Sequence, residues 1–379
     1  KYMEVGKNIK QASGFKAFIP SPFPPKNGYS FSPQIIEKAN KATLLLGKLD
    51  GITELLPDVN YFIFMYIRKD ASSSSQIEGT QATMIDLIEA EANVSTDIPD
   101  DVDDILHYIE ALKYGTNRLK DFPISLRVIK EIHSILLSNA RSSHFSNPGH
   151  FRESQNWIGG TRPDNAKFVP PPIFEMNRAL DELENFFHSK SQILPILKAG
   201  LIHSQFETIH PFLDGNGRTG RILITLFLWL ENILEKPVLF LSSFFHKHKK
   251  LYYEKLDSYH NNNIEDWLDF FLEGVIETSL EAIETVKRIN ILRDEDMRKI
   301  QCLSKASSET SMKILQELFQ LPITNVPNIQ KITGFTRQGA QKVLDRFVEL
   351  GILEIKKEDS KYGRSYVYKK YQDIFYYEK

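Results

Sequence analysis

From residue 32 to residue 293 this chain repeats one pattern: apolar residues at i, i+3, i+4 and i+7, the spacing that gives a helix one apolar face. It recurs over residues 32–56, 59–77, 101–119, 125–137, 174–188, 194–208, 217–234, 244–260 and 264–293. A body that is nearly all helical follows. With 379 residues and 41% hydrophobic content the chain can bury a large core, and two or three domains are expected.

Two regions break the pattern. The opening thirty residues contain FIPSPFPPKNGYS, whose Pro22, Pro24 and Pro25 forbid a helix, so an extended arm is predicted there. Residues 151–172 hold two short strand-like pieces, QNWIG and KFVP, around a Gly/Pro/Asp/Asn turn, which predicts a small β-hairpin.

Past residue 293 the composition changes at the polar stretch DEDMRKIQCLSKASSET, read as a linker. Helices at 312–319, 326–333 and 337–351 and two alternating strands around a charged turn are predicted beyond it, the order of a winged helix. Residues 305–379 carry 13 Lys and Arg against 9 Asp and Glu, a net of +4 that leaves −6 for the remainder of a chain whose total is −2. That balance argues against a protein that is wholly a nucleic-acid binder. In the third C-terminal helix, Thr336 is placed as N-cap, Arg337, Gln338, Gln341 and Lys342 on an open face, and Ala340, Val343, Leu344 and Phe347 inside. The wing adds Lys356, Lys357, Lys361 and Arg364, so DNA or a protein is the expected partner of this part.

The lone cysteine, Cys302, has no partner for an internal disulfide, and a reducing cytoplasm fits. No run of about 18 apolar residues calls for a membrane span.

Chemistry concentrates in HPFLDGNGRTGR, residues 210–221. Gly215, Asn216 and Gly217 precede a helix-forming run, which puts backbone N–H groups at a helix start where an anion binds. Arg218 and Arg221 lie within one turn and suit two phosphates, or one phosphate and a carboxylate. Asp214 is placed to hold Mg²⁺ against such phosphates, and His210 is the residue type that takes a proton from an attacking hydroxyl. Together they describe phosphoryl or nucleotidyl transfer.

The same twelve residues match the Fic motif, HPFx(D/E)GNGRxxR, at every specified position, and the chain resembles the Fic (Fic/Doc) family from about residue 60 to 290. The resemblance implies a helical core that transfers AMP from ATP to a Tyr, Thr or Ser hydroxyl of a protein, this chain included. It implies His210 as general base, Asp214 as Mg²⁺ ligand, and Gly215, Asn216 and Gly217 as the anion-binding loop. Arg218 meets the outer phosphates and Arg221 the γ-phosphate, Thr219 and Gly220 complete the ATP-binding stretch, and Phe212 is an apolar anchor. Relatives that transfer phosphate carry Lys at the place of Gly217, so AMP transfer is favoured. Asn156, Trp157, Ile158 and Gly159 resemble the family's target-docking flap, which takes a peptide by strand addition, and the Ile158 N–H is expected to serve that peptide. Tyr252 and Tyr253 resemble an aromatic pair near the adenine.

Far away in sequence, Ser74, Glu78 and Gly79 in SSSSQIEGT share a helical face and a helix stop. Beside a Fic core they resemble its inhibitory motif, (S/T)xxxE(G/N), and a Glu78 carboxylate on Arg221 would take the place of the γ-phosphate. The expected organisation is an arm and inhibitory helices over 1–95, a Fic core over 96–293, a linker over 294–308 and a winged helix over 309–379. Two other readings stay open: a DNA-binding regulator, and AMP removal with Glu78 orienting a water. Self-association into a homodimer is left open as well.

Overall fold

The structure, a computed structural model, describes residues 3–138, 147–190, 192–356 and 364–376, apart from positions 55, 57 and 96. The chain forms two compact units, residues 1–50, 73–79 and 106–279 in the first, and 51–72, 80–105 and 280–379 in the second.

The first unit opens with a β-hairpin, β1 (Gly6–Lys10) antiparallel to β2 (Lys16–Pro20), with Asn8 opposite Phe18. Here the expected arm is corrected. Gly14, at φ +100°, supplies the turn, and the prolines begin only where β2 ends. The Phe18 N–H then donates to the Val169 carbonyl at 2.9 Å, which ties the hairpin to the end of the predicted flap.

Helices α1 (Pro33–Thr53), α2 (Asn60–Ile77) and α4 (Val102–Arg118) pass from one unit into the other along the chain, and α3 (Met84–Ala92) lies in the second. In the first unit follow α5 (Leu126–Leu136), α6 (Ile173–His188), α7 (Pro195–Ile209), α8 (Asn216–Leu230), α9 (Ser242–Lys247), α10 (Lys249–His260) and the start of α11 (Ile264–Gln301). Helix α7 starts with Pro195, whose missing N–H costs nothing in a first turn, and buries every side chain from Ile196 to Ile209. Trp267 of α11 donates its indole N–H to the Gly200 carbonyl at 2.9 Å. A Cβ at Gly200 would meet Leu268 and Phe271 at 2.9 Å, so glycine lets α11 close on α7. Helices α7 and α8 are joined by a loop of residues 210–215.

In the second unit, α12 (Lys305–Gln320), β3 (Ile323–Asn325), α13 (Val326–Thr333), α14 (Arg337–Glu349), β4 (Glu354–Ile355), β5 (Ser365–Val367) and α15 (Lys369–Tyr376) follow one another. The strands form an antiparallel sheet in the order β3-β5-β4, with Ile323 and Glu354 both opposite Val367.

Helix α11 does not end near Arg293 but continues to Gln301, through the stretch that looked like a polar linker. Its Asp296 is fully buried and accepts from the Tyr368 hydroxyl at 2.7 Å and from Lys299 at 2.5 Å. Polar residues there mark an internal hydrogen-bonded site rather than solvent. Helix α3 was not expected, although Thr83 and Asp86 form a complete capping box, a signal that was present in the sequence.

Candidate active site

The loop between α7 and α8 is shaped by positive-φ residues at both ends. His210 closes α7 in the left-handed region (φ +47°) and Gly215 opens α8 at φ +75°. For a histidine this conformation is uncommon, and the surroundings hold it there. The His210 carbonyl accepts from Arg152 Nε at 3.0 Å and from Asn156 Nδ2 at 3.3 Å, and Asn156 Nδ2 also reaches the Phe212 carbonyl at 2.9 Å. Arg152 is 2% exposed, bonds further to the carbonyls of Pro171 and Ser154, and its pKa is lowered to about 10 by burial.

Asn216 works as a staple for the same loop. Its Oδ1 accepts from the Phe212 N–H and its Nδ2 donates to the Phe212 carbonyl, both at 2.9 Å. So its side chain faces inward, and only its backbone remains for an anion. Phe212 itself is fully buried and lies flat on the His133 ring at 3.6 Å, as an anchor should. His133 receives the Gly149 N–H on Nδ1, which leaves its Nε2–H to donate to the Asp214 carbonyl at 2.9 Å. Burial lowers its pKa to about 4, so the ring is neutral and acts as a fixed strut.

Asp214 points outward, with 45% of its side chain exposed and 4.0 Å between its Oδ2 and Arg218. Arg218 and Arg221 are both buried. Thr219 and Gly220 are buried too, and a Cβ on Gly220 would meet Glu207, Phe206 and His203 of α7. This face of α8 packs on α7. Tyr252 is also a core residue: it is 1% exposed, shares a 2.8 Å hydrogen bond with His203 and lies beside Phe245, while Tyr253 is 44% exposed. Only Tyr253 of that pair offers a surface.

Opposite the loop, the end of α2 meets α8. Arg221 Nε donates to Ser74 Oγ at 2.8 Å, and its Nη2 donates to the Ser74 carbonyl at 3.0 Å and to Glu78 Oε1 at 2.6 Å. Gly79, at φ +108°, terminates the helix so that Glu78 turns toward α8. Burial by itself would lower the Arg221 pKa, but the Glu78 carboxylate more than offsets this and holds it above its usual range. A Cβ at Gly217 would strike the Glu78 carboxylate, so the glycine there provides the space Glu78 occupies.

His210 has 18% of its side chain exposed, and burial together with Arg152 lowers its pKa to about 4. It is therefore neutral near pH 7. Glu207, one turn earlier on α7, was not singled out from sequence, nor were His133 and Arg152. Burial raises the Glu207 pKa to about 7, an increase that nearby Arg221 opposes and Glu78 reinforces.

The flap residues 156–168 form less sheet than their pattern predicted. One antiparallel bridge joins Ile158 to Phe168, with a 3-10 turn at Pro163–Asn165 between them. The Ile158 N–H donates to Phe168 at 2.8 Å, and the Ile158 carbonyl accepts from Lys167 and Phe168. Ile158 thus spends its backbone inside the flap. The outward edge falls at its neighbours, Trp157 and Gly159, since strand residues alternate sides.

A helical core whose buried helix pair presents this loop, faced by a Ser-Glu helix end, defines the class to which the protein belongs. Residues 36–117 match the Fic/DOC family N-terminal domain and residues 123–228 the Fic/DOC family domain. The chain belongs to the Fic/DOC family. It is 31% identical to the protein adenylyltransferase Fic of Aedes aegypti over 46% of this chain and 32% of that protein, and 30% identical to that of Drosophila virilis over 40% and 30%. The chain thus spans about a third of the length of these two curated relatives. In fold it is similar to a Fic family protein from Desulfovibrio desulfuricans, with a TM-score of 0.58 at 18% identity over 90% of this chain and 97% of that one. Fic-1 of C. elegans gives a TM-score of 0.51 at 17% identity over 67% and 73%.

Proposed function

We propose that this chain is a protein adenylyltransferase that transfers AMP from ATP to a protein hydroxyl and is held inactive by Glu78. The observation that carries this reading is the 2.6 Å pair between Glu78 and Arg221, on the helix whose start forms the anion-binding loop. Neutral His210 takes the proton of the target hydroxyl as its oxygen bonds to the α-phosphorus. The bond from phosphorus to the bridging oxygen breaks, and pyrophosphate leaves. The backbone N–H groups at the start of α8, with Arg218, hold the phosphates, and Arg221 receives the γ-phosphate once Glu78 has moved off. The adenine lies against Tyr253, and the target strand along the Trp157–Gly159 edge.

Among the described residues no three or more His, Cys, Asp or Glu side chains gather to hold a metal. A single exposed carboxylate beside an arginine suits Mg²⁺ bound chiefly through a triphosphate, and Asp214 is that carboxylate. Bound Mg²⁺ would neutralise phosphate charge in the transition state. Incubation with labelled ATP and a cell lysate should label protein only when Mg²⁺ is present, and Asp214→Ala should lower the rate by about 100-fold, equivalent to about 2.7 kcal/mol. Labelling that survives in EDTA would count against the assignment.

A second reading concerns residues 305–376. Three helices with a β3-β5-β4 sheet favour a winged-helix module. In it Thr336 Oγ1 caps α14 by accepting from Gly339, and Ala340, Val343, Leu344 and Phe347 are buried as expected. One residue expected on the open face and one expected on the wing are otherwise engaged: Gln341 bonds Asp345 and the Tyr366 hydroxyl, and Lys356 pairs with Glu89 at 2.6 Å. Lys357 and Lys361 lie outside the described residues. Arg337, Gln338, Lys342 and Arg364 are exposed and remain as DNA contacts. DNA binding through them predicts a log–log salt slope of about −0.9 per phosphate neutralised in a mobility shift. No shift at low salt would leave protein docking as the role of this module.

A further inference from the structure

We infer that Glu207 is a positioning residue for His210: its carboxylate accepts the Nδ1–H of the imidazole, leaves Nε2 as the proton acceptor, and stabilises the imidazolium that forms. This rests on the adenylyltransferase reading above for its catalytic consequence, but not for the pairing itself. Glu207 lies in the last turn of α7, and His210 is the left-handed residue that closes the helix three positions on. Glu207 Oε2 lies 3.8 Å from His210 Nδ1, a few tenths of an ångström beyond a hydrogen bond.

Two buried polar atoms here have no hydrogen-bond partner: His210 Nδ1 and Glu207 Oε1. Leaving His210 Nδ1 unpaired costs about 1–3 kcal/mol, so a small rotation that brings Glu207 Oε2 onto it is favoured. The chain also makes room for this carboxylate. A Cβ on Gly220 would sit 2.9 Å from Glu207 Oε1, and Glu207 would be displaced by any larger residue there. A base that accepts a proton at one nitrogen needs the other nitrogen to carry hydrogen, and a carboxylate on that second nitrogen both selects the tautomer and offsets the new charge.

The groups facing this pair are Arg221 on α8, Glu78 beyond α2, Tyr252, Tyr253 and His260 on α10, and Arg152 and Asp214 around the loop. With the Glu207 pKa raised to about 7, its carboxylate form, and hence the pairing, gains as pH rises through neutrality. The backbone carbonyl of Glu207 is the competing acceptor for the same ring, and the test must separate the two.

The decisive experiment is NMR of isotope-labelled histidine in the full chain, with His210 assigned by its loss in His210→Ala, compared with Glu207→Gln. The Nδ1–H tautomer is expected in the unmutated protein, and its population and the His210 titration should shift in Glu207→Gln, which keeps the side-chain shape. An Nε2–H tautomer in the unmutated protein would overturn the inference without any variant. An unchanged spectrum in folded Glu207→Gln would also overturn it and leave the carbonyl as the acceptor. In a Glu78→Gly background, Glu207→Gln should lower kcat for AMP transfer by about 10- to 100-fold with KM for ATP unchanged. Equal kcat would sink the positioning role. If the Glu78→Gly chain transfers no AMP at all, the adenylyltransferase reading fails, and the tautomer measurement still decides the pairing.

Discussion

His210→Ala is expected to reduce AMP transfer by about 100- to 10,000-fold, the range that removal of a general base produces, while ATP affinity stays within about twofold. The asymmetry follows from where the ring sits. His210 closes α7 at φ +47° with its carbonyl locked by Arg152 and Asn156, so the loop backbone proposed to receive the phosphates is held by groups other than the imidazole. Phe212, Asn216 and His133 fix the rest of that backbone. Alanine at 210 therefore deletes the base and leaves the anion site standing. Titration calorimetry with ATP and a labelled-ATP transfer assay on the same variant check both halves. Loss of nucleotide binding in step with activity would show that His210 supports the loop rather than the reaction.

The second large effect is a gain. Glu78→Gly should raise AMP transfer, self-modification included, by about 10- to 100-fold, equivalent to about 1.4–2.8 kcal/mol in productive ATP binding. The pair is unequal: the Arg221 side chain is 2% exposed, while the Glu78 side chain is 36% exposed. Removing the carboxylate strands a buried guanidinium, which is costly unless another anion arrives. Two bonds to Ser74 keep Arg221 aimed in the meantime, so a γ-phosphate meets a prepared donor. Arg221→Ala should not activate, because it removes the phosphate contact together with the inhibitor's partner, and the double variant should match Arg221→Ala alone. Initial rates at saturating target, measured for all four proteins, test this. A Glu78→Gly rate equal to or below that of the unmutated chain would make Glu78 a helix-end residue or the group that orients a water for AMP removal.

The sequence by itself determined the helical body and the reactive loop, because both are local. Apolar spacing fixes which segments are helices, and His210, Asp214, Gly215, Arg218 and Arg221 sit within twelve consecutive residues. Serine, glutamate and glycine at the end of α2 were legible as a helix end for the same reason. What sequence spacing could not supply is distance between segments. Ser74 and Arg221 are 147 residues apart and meet at 2.8 Å only because α2 ends against α8. The work of His133 and Arg152 is likewise invisible in the chain, since each is an isolated polar residue whose partners are backbone carbonyls or N–H groups from another segment.

Burial is a second thing that spacing does not supply. The packing of α8 and α10 on α7 buries Thr219, Gly220 and Tyr252, and Arg218 and Arg221 with them. The polar run at the end of α11 looked solvated, and the buried Asp296–Tyr368 bond shows why it is not. A side chain's type states what it can bond to. Only the tertiary structure decides whether that partner is water, a neighbouring element or an incoming substrate, because burial removes water from the competition.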